Sequence, residues 1–397
     1  PSLLAIFLIA VAQIVLVGEI AGLTGLMNNQ LFYLVFHLFA LSISMGSWIK
    51  YHNPSIFPIT ELKRELASLG SLPGLIRKYP DLFIFSAAIL IATLVNALLI
   101  LVVPPNTNDS MTTHMARIGF WLQNGSLRSW STPYIFQLIY PINAQLQILW
   151  TILFRGSDQF AGFMQWFACI FAGIAIYGIA RLIKWGKAAS VFAALVWASF
   201  PQIILQSSST QNDLAVAAFS VIGMYFIFKN TGSREEIDIW LSGLAFGLAA
   251  GTKQTWFFLI PGLILFGIML ILKQNDFIKN IIRWGLATIV CVFIFGSGIY
   301  IKNWMDYQNP FGPPEVVTSD TTSSSITSNL VKITYNPARH FYQLLDPGGL
   351  PSSVADKITT IKKSIYQPLY EAIGLPLDAP VGLYADKNPF DYEMPTD

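Results

Sequence analysis

The chain has 397 residues, of which 54% are apolar and 12% charged, about half the charged share of an ordinary globular domain. A net charge of +2 argues against any polyanion-binding surface, nucleic acid included. The two cysteines, Cys169 and Cys291, lie inside apolar runs and suit buried thiols rather than a disulfide or metal framework.

Apolar runs matching the ~17–25 residues of a bilayer-spanning helix recur along the chain. Read in order against turn and charge punctuation, about nine spans are expected: 3–22, 31–49, 82–103, 159–183, 188–205, 213–229, 238–252, 255–272 and 280–301. Segment 134–154 is also apolar, but Pro141, Asn143, Gln145 and Gln147 interrupt it, which predicts a re-entrant or interfacial element. After residue 301 comes a polar tail of strand- and loop-like character, with "TSDTTSSSITS" as a flexible connector. No heptad and no short-period repeat is present. The chain opens at Pro1 without a cleavable signal pattern and stops in a polar stretch, so it reads as a fragment trimmed at both ends.

Lysine and arginine set the orientation. One set of loops carries thirteen: Lys50, Lys63, Arg64, Arg77, Lys78, Arg181, Lys184, Lys187, Lys229, Arg234, Lys273, Lys279 and Arg283. The other carries five: Arg117, Arg128, Arg155, Lys253 and Lys302. The richer side is expected to be cytoplasmic, in a prokaryotic plasma membrane. The fold expected is an all-α polytopic bundle, with two N-terminal helices (1–60), a cytoplasmic linker (61–80), a transmembrane core (81–302) whose first outer loop is 104–158, and an extracytoplasmic segment (303–397), itself truncated.

Three polar sites fall on the outer side. In "NDSMTTHMARIGFWLQNG", a helix over 109–122 would align Met111, Met115, Ile118 and Leu122 on one stripe and Asp109, Thr113 and Arg117 opposite, with His114 nearby. That describes an interfacial helix, greasy side down. Asp109 could instead be an N-cap, although a cap needs neither His114 nor Arg117. In "SSSTQND", Gln211, Asn212 and Asp213 offer donors and acceptors suited to sugar hydroxyls or a cation, while Asp213 could equally cap the next helix. In "GTKQTW", Lys253 would cost roughly 2.5–3.5 kcal/mol at mid-bilayer, so a hairpin is expected to bring it to the outer face. There it is either a snorkelling anchor or a cation for a phosphate, with Trp256 as its interfacial neighbour.

With these motifs, "GSDQFAGFMQWF" and "GLAAGTKQTW", the chain resembles the GT-C membrane glycosyltransferases over roughly residues 80–315. The likeness is to the group of protein O-mannosyltransferases and lipid A aminoarabinose transferases. The resemblance implies a polyprenyl-phosphate-linked sugar donor, inversion at the anomeric carbon, and Asp109 as catalytic carboxylate. His114 would be a second proton carrier or orienting partner. Arg117 and Lys253 would neutralise the departing phosphate, and Gln211, Asn212, Asp213 and Trp256 would contact substrate. The metal is unknown; a divalent cation (Mg or Mn) stays open as cofactor, and the acceptor stays open among protein, lipid, glycan and pigment.

The chain departs from the group where Asp109-Ser110 replaces an Asp-Glu pair, where Gln254-Thr255 replaces Gly-Pro, and in its two extra leading spans. Those spans keep a second reading in view, a non-catalytic subunit of a larger membrane complex. A lipid or sugar transporter would instead gather ionisable groups near the midplane.

Overall fold

The computed structural model describes residues 1–52, 77–272, 276–314 and 351–372, with single positions 67, 74, 316, 342 and 347. They fall into two compact units, the first comprising Pro1–Ser199 and Ile203–Gly312, the second Phe200–Gln202 and Pro313–Asp397.

Among the described residues the molecule is all helix, with no strand. The leading spans form α1 (Ser2–Thr24) and α2 (Gln30–His52), and the first core span forms α3 (Pro80–Val102). A π-helical stretch, Ser110–Met115, runs into α4 (Ala116–Asn124), followed by α5 (Phe136–Ile139) and α6 (Asn143–Arg155). Then come α7 (Phe163–Leu182), α8 (Lys187–Ser199), α9 (Pro201–Gln206), α10 (Asp213–Ser233) and α11 (Glu236–Ala250). The first unit closes with α12 (Trp256–Ile271), α13 (Phe277–Phe295) and α14 (Gly298–Tyr307). Five helices are long and apolar enough to cross a membrane, those at Ser2–Thr24, Pro80–Val102, Asp158–Leu182, Asp213–Ser233 and Phe277–Phe295. The chain is an integral, multi-pass membrane helix bundle.

All nine expected spans fall on helices, because a chain in lipid must satisfy its backbone internally and an apolar run of that length has no other solution. Two runs are broken. The 188–205 run is interrupted at residue 200, just before Pro201, whose missing N–H suits the first turn of the helix that follows. The 280–301 run breaks at Gly296.

Helix α10 is the most enclosed span and packs on α7 and α11. Helices α11 and α13 approach closely because small residues line their seam. A Cβ on Gly243 would stand 2.8 Å from the Ala287 carbonyl oxygen, and one on Gly247 would strike the Cys291 carbonyl. By contrast, the outward side of α3 shows Ile84, Ile91, Leu94, Leu98 and Val102, an apolar face that suits lipid. Both cysteines are free thiols, Cys291 buried and Cys169 half-buried, as their apolar settings predict.

Three expectations are corrected. Of the two readings of segment 134–154, the interfacial one is set aside and the re-entrant one left standing: after the break at Pro141, α6 buries Asn143 through Leu149 inside the bundle. Residues 109–122 are not an amphipathic helix with its polar side up, since Thr113, His114 and Arg117 are buried while Met111 is 53% exposed. The tail is not wholly strand- and loop-like, because α15 (Ser352–Ala372) is a helix of 21 residues. Its Val354, Ile358, Ile361, Ile365 and Leu369 recur at 4-3-4-4 spacing, a helical period that polar neighbours disguise. The "TSDTTSSSITS" connector, together with Lys63, Arg64 and Lys273, lies outside the described residues.

Candidate active site

The π-helical stretch is what assembles the first half of the site. At 100° per residue an α-helix would set Asp109 and His114 roughly 140° apart. Hydrogen bonds of the i→i+5 type widen the turn and bring the two onto one side. Asp109 Oδ2 stands 3.3 Å from His114 Nε2, and Asp109 makes no side-chain cap, which removes its alternative role. The carboxylate is 56% exposed and the imidazole 5%.

Behind His114 lies Gln145 of α6, buried and in short contact with His114 Nδ1. With its amide turned to satisfy both ends, Gln145 accepts from Nδ1–H and donates to the carbonyls of Pro141 (3.1 Å) and Ile142 (3.2 Å). The Nδ1 side of the ring is therefore fixed by Gln145, and Nε2 is the nitrogen that faces Asp109. The hydrogen bond from His114 is the main reason the Asp109 carboxyl is held below its ordinary range. Burial opposes it, while the charges of His114 and Lys253 and a hydrogen bond from Thr113 assist. Gln145 counted in the sequence only as an interruption of an apolar run. That a glutamine there must find a buried partner was the available signal.

The second half joins the start of α10 to the turn at 251–256. Lys253 Nζ bonds Asp213 Oδ1 at 2.6 Å, with both side chains partly exposed. Asn212 Nδ2 donates to the Thr252 carbonyl at 3.0 Å, holding turn and helix together. Gln165 Oε1 accepts from the Ala215 N–H at 3.0 Å, so the first turn of α10 is capped by Gln165 and not by Asp213. Gly251 is required by close approach, since a Cβ there would strike the Asn143 amide and the Phe295 carbonyl. Asn143 Nδ2 in turn donates to Phe295 O at 2.7 Å, and its backbone N–H to Gly251 O at 2.9 Å. The turn is thus tied to α6, the helix that also carries Gln145. Lys253 is close enough to Asp109 for its charge to act on the carboxylate, so the two halves share one end of the bundle.

The other expected residues hold different positions. Arg117 is 1% exposed, and its guanidinium donates to the carbonyls of Pro141 (3.0 Å) and Tyr140 (2.6 Å). It also lies over the Trp121 ring at 5.1 Å. Burial pulls its pKa down to about 9, which leaves it charged at neutral pH. Its visible work is to hold the chain break at Pro141. Trp256 is buried, packing against Phe246 with ring centroids 6.1 Å apart, and is a core residue rather than an interfacial one. Gln211 is half-buried, and its backbone N–H donates to Ser209 Oγ at 3.3 Å. Among the described residues no group of three His, Cys, Asp or Glu side chains gathers in a way that would hold a metal ion.

Residues 141–300 match the sequence model of the dolichyl-phosphate-mannose-protein mannosyltransferase family. No curated protein and no solved structure matches the chain. The matched stretch contains Gln145, Asp213 and Lys253 and leaves out Asp109, His114 and Arg117. It bears out the GT-C resemblance and makes a membrane glycosyltransferase of that type the coarse reading.

Proposed function

We propose that this chain transfers a sugar from a polyprenyl-phosphate donor to an acceptor hydroxyl, with inversion, and that Asp109 is the catalytic carboxylate. The observation that supports it best is the Asp109–His114–Gln145 chain, which keeps an ionised, half-exposed carboxylate within reach of the Lys253 charge. A base must be open to substrate and unprotonated at the working pH, and a buried partner holding it so is how enzymes arrange this.

In the proposed reaction the acceptor oxygen attacks the anomeric carbon. The bond from that carbon to the phosphate oxygen breaks, and its electron pair leaves with the lipid phosphate. The acceptor proton passes to Asp109, whose other oxygen stays paired with His114. Lys253 turns from Asp213 toward the phosphate, a compact cation meeting the charge that develops there. Asp213, released, accepts from a sugar hydroxyl, with Gln211 beside it. No step is routed through a metal ion. On the lysine and arginine asymmetry this end of the bundle faces away from the cytoplasm.

The test is release of lipid phosphate from dolichyl-phosphate mannose, and from other polyprenyl-phosphate sugars, by the protein in nanodiscs. Asp109→Asn is expected to lower turnover by about 10²–10⁴-fold, the range of general-base catalysis, with unfolding unchanged. Equal turnover by the variant would remove Asp109 from catalysis. No turnover by the wild type on any donor would favour a non-catalytic subunit. Cysteines at the exposed positions Met111 and Asn124, but not at exposed Ser233, should react with an impermeant reagent from outside; the reverse pattern would invert the orientation.

A further inference from the structure

A cavity of about 390 Å³ is walled by α1, α4, the 127–138 segment and α14. Neither Asp109, His114, Asp213 nor Lys253 lines it. Its charged groups are Glu19, Arg117, Arg128 and Lys302, three cations to one acid, so an anion is favoured. Arg128 is exposed at the mouth and makes no hydrogen bond or ion pair among the described residues. Lys302 is bonded to Asp306 at 2.7 Å and keeps part of its surface open. Arg117 is the fixed floor, its guanidinium already given to carbonyls.

The carboxylate of Glu19 is half-buried and likewise without a partner among the described residues. Its Oε1 stands 3.5 Å from the place a Cβ on Gly298 would take, so the missing side chain leaves the acid open to the cavity. A polar occupant with hydrogens to donate suits it. Trp121 and Trp130 supply broad flat walls. The rim is apolar and open: Leu23 is 84% exposed, and Trp304 and Met305 stand exposed on α14 beside it. Cations, an acid acceptor and a greasy rim at the end of a spanning helix match an amphiphile entering from the bilayer.

We propose that this cavity binds the headgroup of a lipid phosphate ester bearing hydroxyls. The phosphate rests on Arg128 and Lys302, and a hydroxyl is donated to Glu19. Helix α1 precedes the matched stretch, and the site is independent of the transfer reaction proposed above.

The protein is placed in phosphatidylcholine nanodiscs doped with phosphatidylglycerol or with dolichyl-phosphate mannose, and retained lipid is measured by native mass spectrometry. Preferential retention of a dopant, lowered about tenfold or more by Arg128→Gln, is expected for a charge-assisted contact. Retention of phosphatidylglycerol marks a resident bilayer lipid, the expected result; retention of the mannosyl lipid alone would return the cavity to the transfer reaction and overturn its independence. Glu19→Gln should weaken phosphatidylglycerol without weakening phosphatidic acid, which has no headgroup hydroxyl beyond its phosphate; equal loss of both would remove the hydroxyl contact. Arg155→Gln, at an exposed arginine that does not line the cavity, should leave retention unchanged. No preference for either dopant, undiminished retention in Arg128→Gln, or an equal loss in Arg155→Gln would overturn the proposal. The readout is binding, so it stands or falls apart from turnover.

Discussion

Helix α10 carries a lysine–aspartate pair near each end, and the two aspartates are held differently. At the C-terminal end Asp238 is 1% exposed and receives Lys229 at 2.7 and 2.9 Å and the Ser233 hydroxyl at 2.6 Å. At the N-terminal end Asp213 is 42% exposed and holds Lys253 by one bond of 2.6 Å. A carboxylate with its acceptor sites filled and water excluded is bound into the fold. One with a single bond and open lone pairs exchanges partners at small cost, which is what a ligand site needs. Two pairs of the same composition thus serve opposite purposes, and burial is what separates them.

The sharpest way to break this comparison is to remove each aspartate in turn. Asp238→Ala removes the buried carboxylate that Lys229 and Ser233 share, leaving Lys229 only Glu235 at 3.5 Å, and is expected to cost about 3 kcal/mol, the low end for breaking a buried pair, read by thermal unfolding in detergent. A loss below about 1 kcal/mol would put the two pairs in one class. Next, Lys253→Met should weaken donor-lipid binding by about 1.5–3 kcal/mol, tenfold or more, with little change in unfolding. Lys253→Arg should recover only part, because a planar fork does not replace a compact ammonium. Lowered stability with unchanged affinity would make Lys253 an anchor instead.

Smaller effects sharpen it further. Asp213→Asn should change stability by less than about 1 kcal/mol, the scale of a partly exposed pair. It should also raise donor-lipid affinity a few-fold, since Lys253 no longer has a competing carboxylate. The mildest expected change is in pH dependence. Because His114 holds the Asp109 pKa down, the ionised form survives to lower pH than in a free aspartate, and activity is lost as pH falls through that lowered value. His114→Gln removes both the hydrogen bond and the charge, so the acid limb of the turnover profile should move to higher pH. An unmoved limb would separate His114 from the titration of Asp109.

The sequence by itself determined where the spanning helices lie. Runs such as 82–103 and 213–229 have one low-energy state in lipid, because only a helix satisfies every backbone group within the segment. It also marked Asp109, His114, Asp213 and Lys253, since charge is scarce and these residues cluster just where spans end. It did not give the roles of Arg117 and Trp256, whose types suit a ligand but whose side chains are spent on the Tyr140 and Pro141 carbonyls and on Phe246. It missed Gln145 altogether.

The physical reason is that a sequence pattern is read with one helical period and one surface in mind. A single π-helical stretch changed the period, bringing His114 round to Asp109 and turning Arg117 into the bundle. Partners such as Gln145 for His114, 31 residues away, or Lys253 for Asp213, 40 residues away, exist only once the helices that carry them have packed. Burial, which separates Asp238 from Asp213, belongs to no residue alone and is decided by the neighbours the tertiary structure supplies.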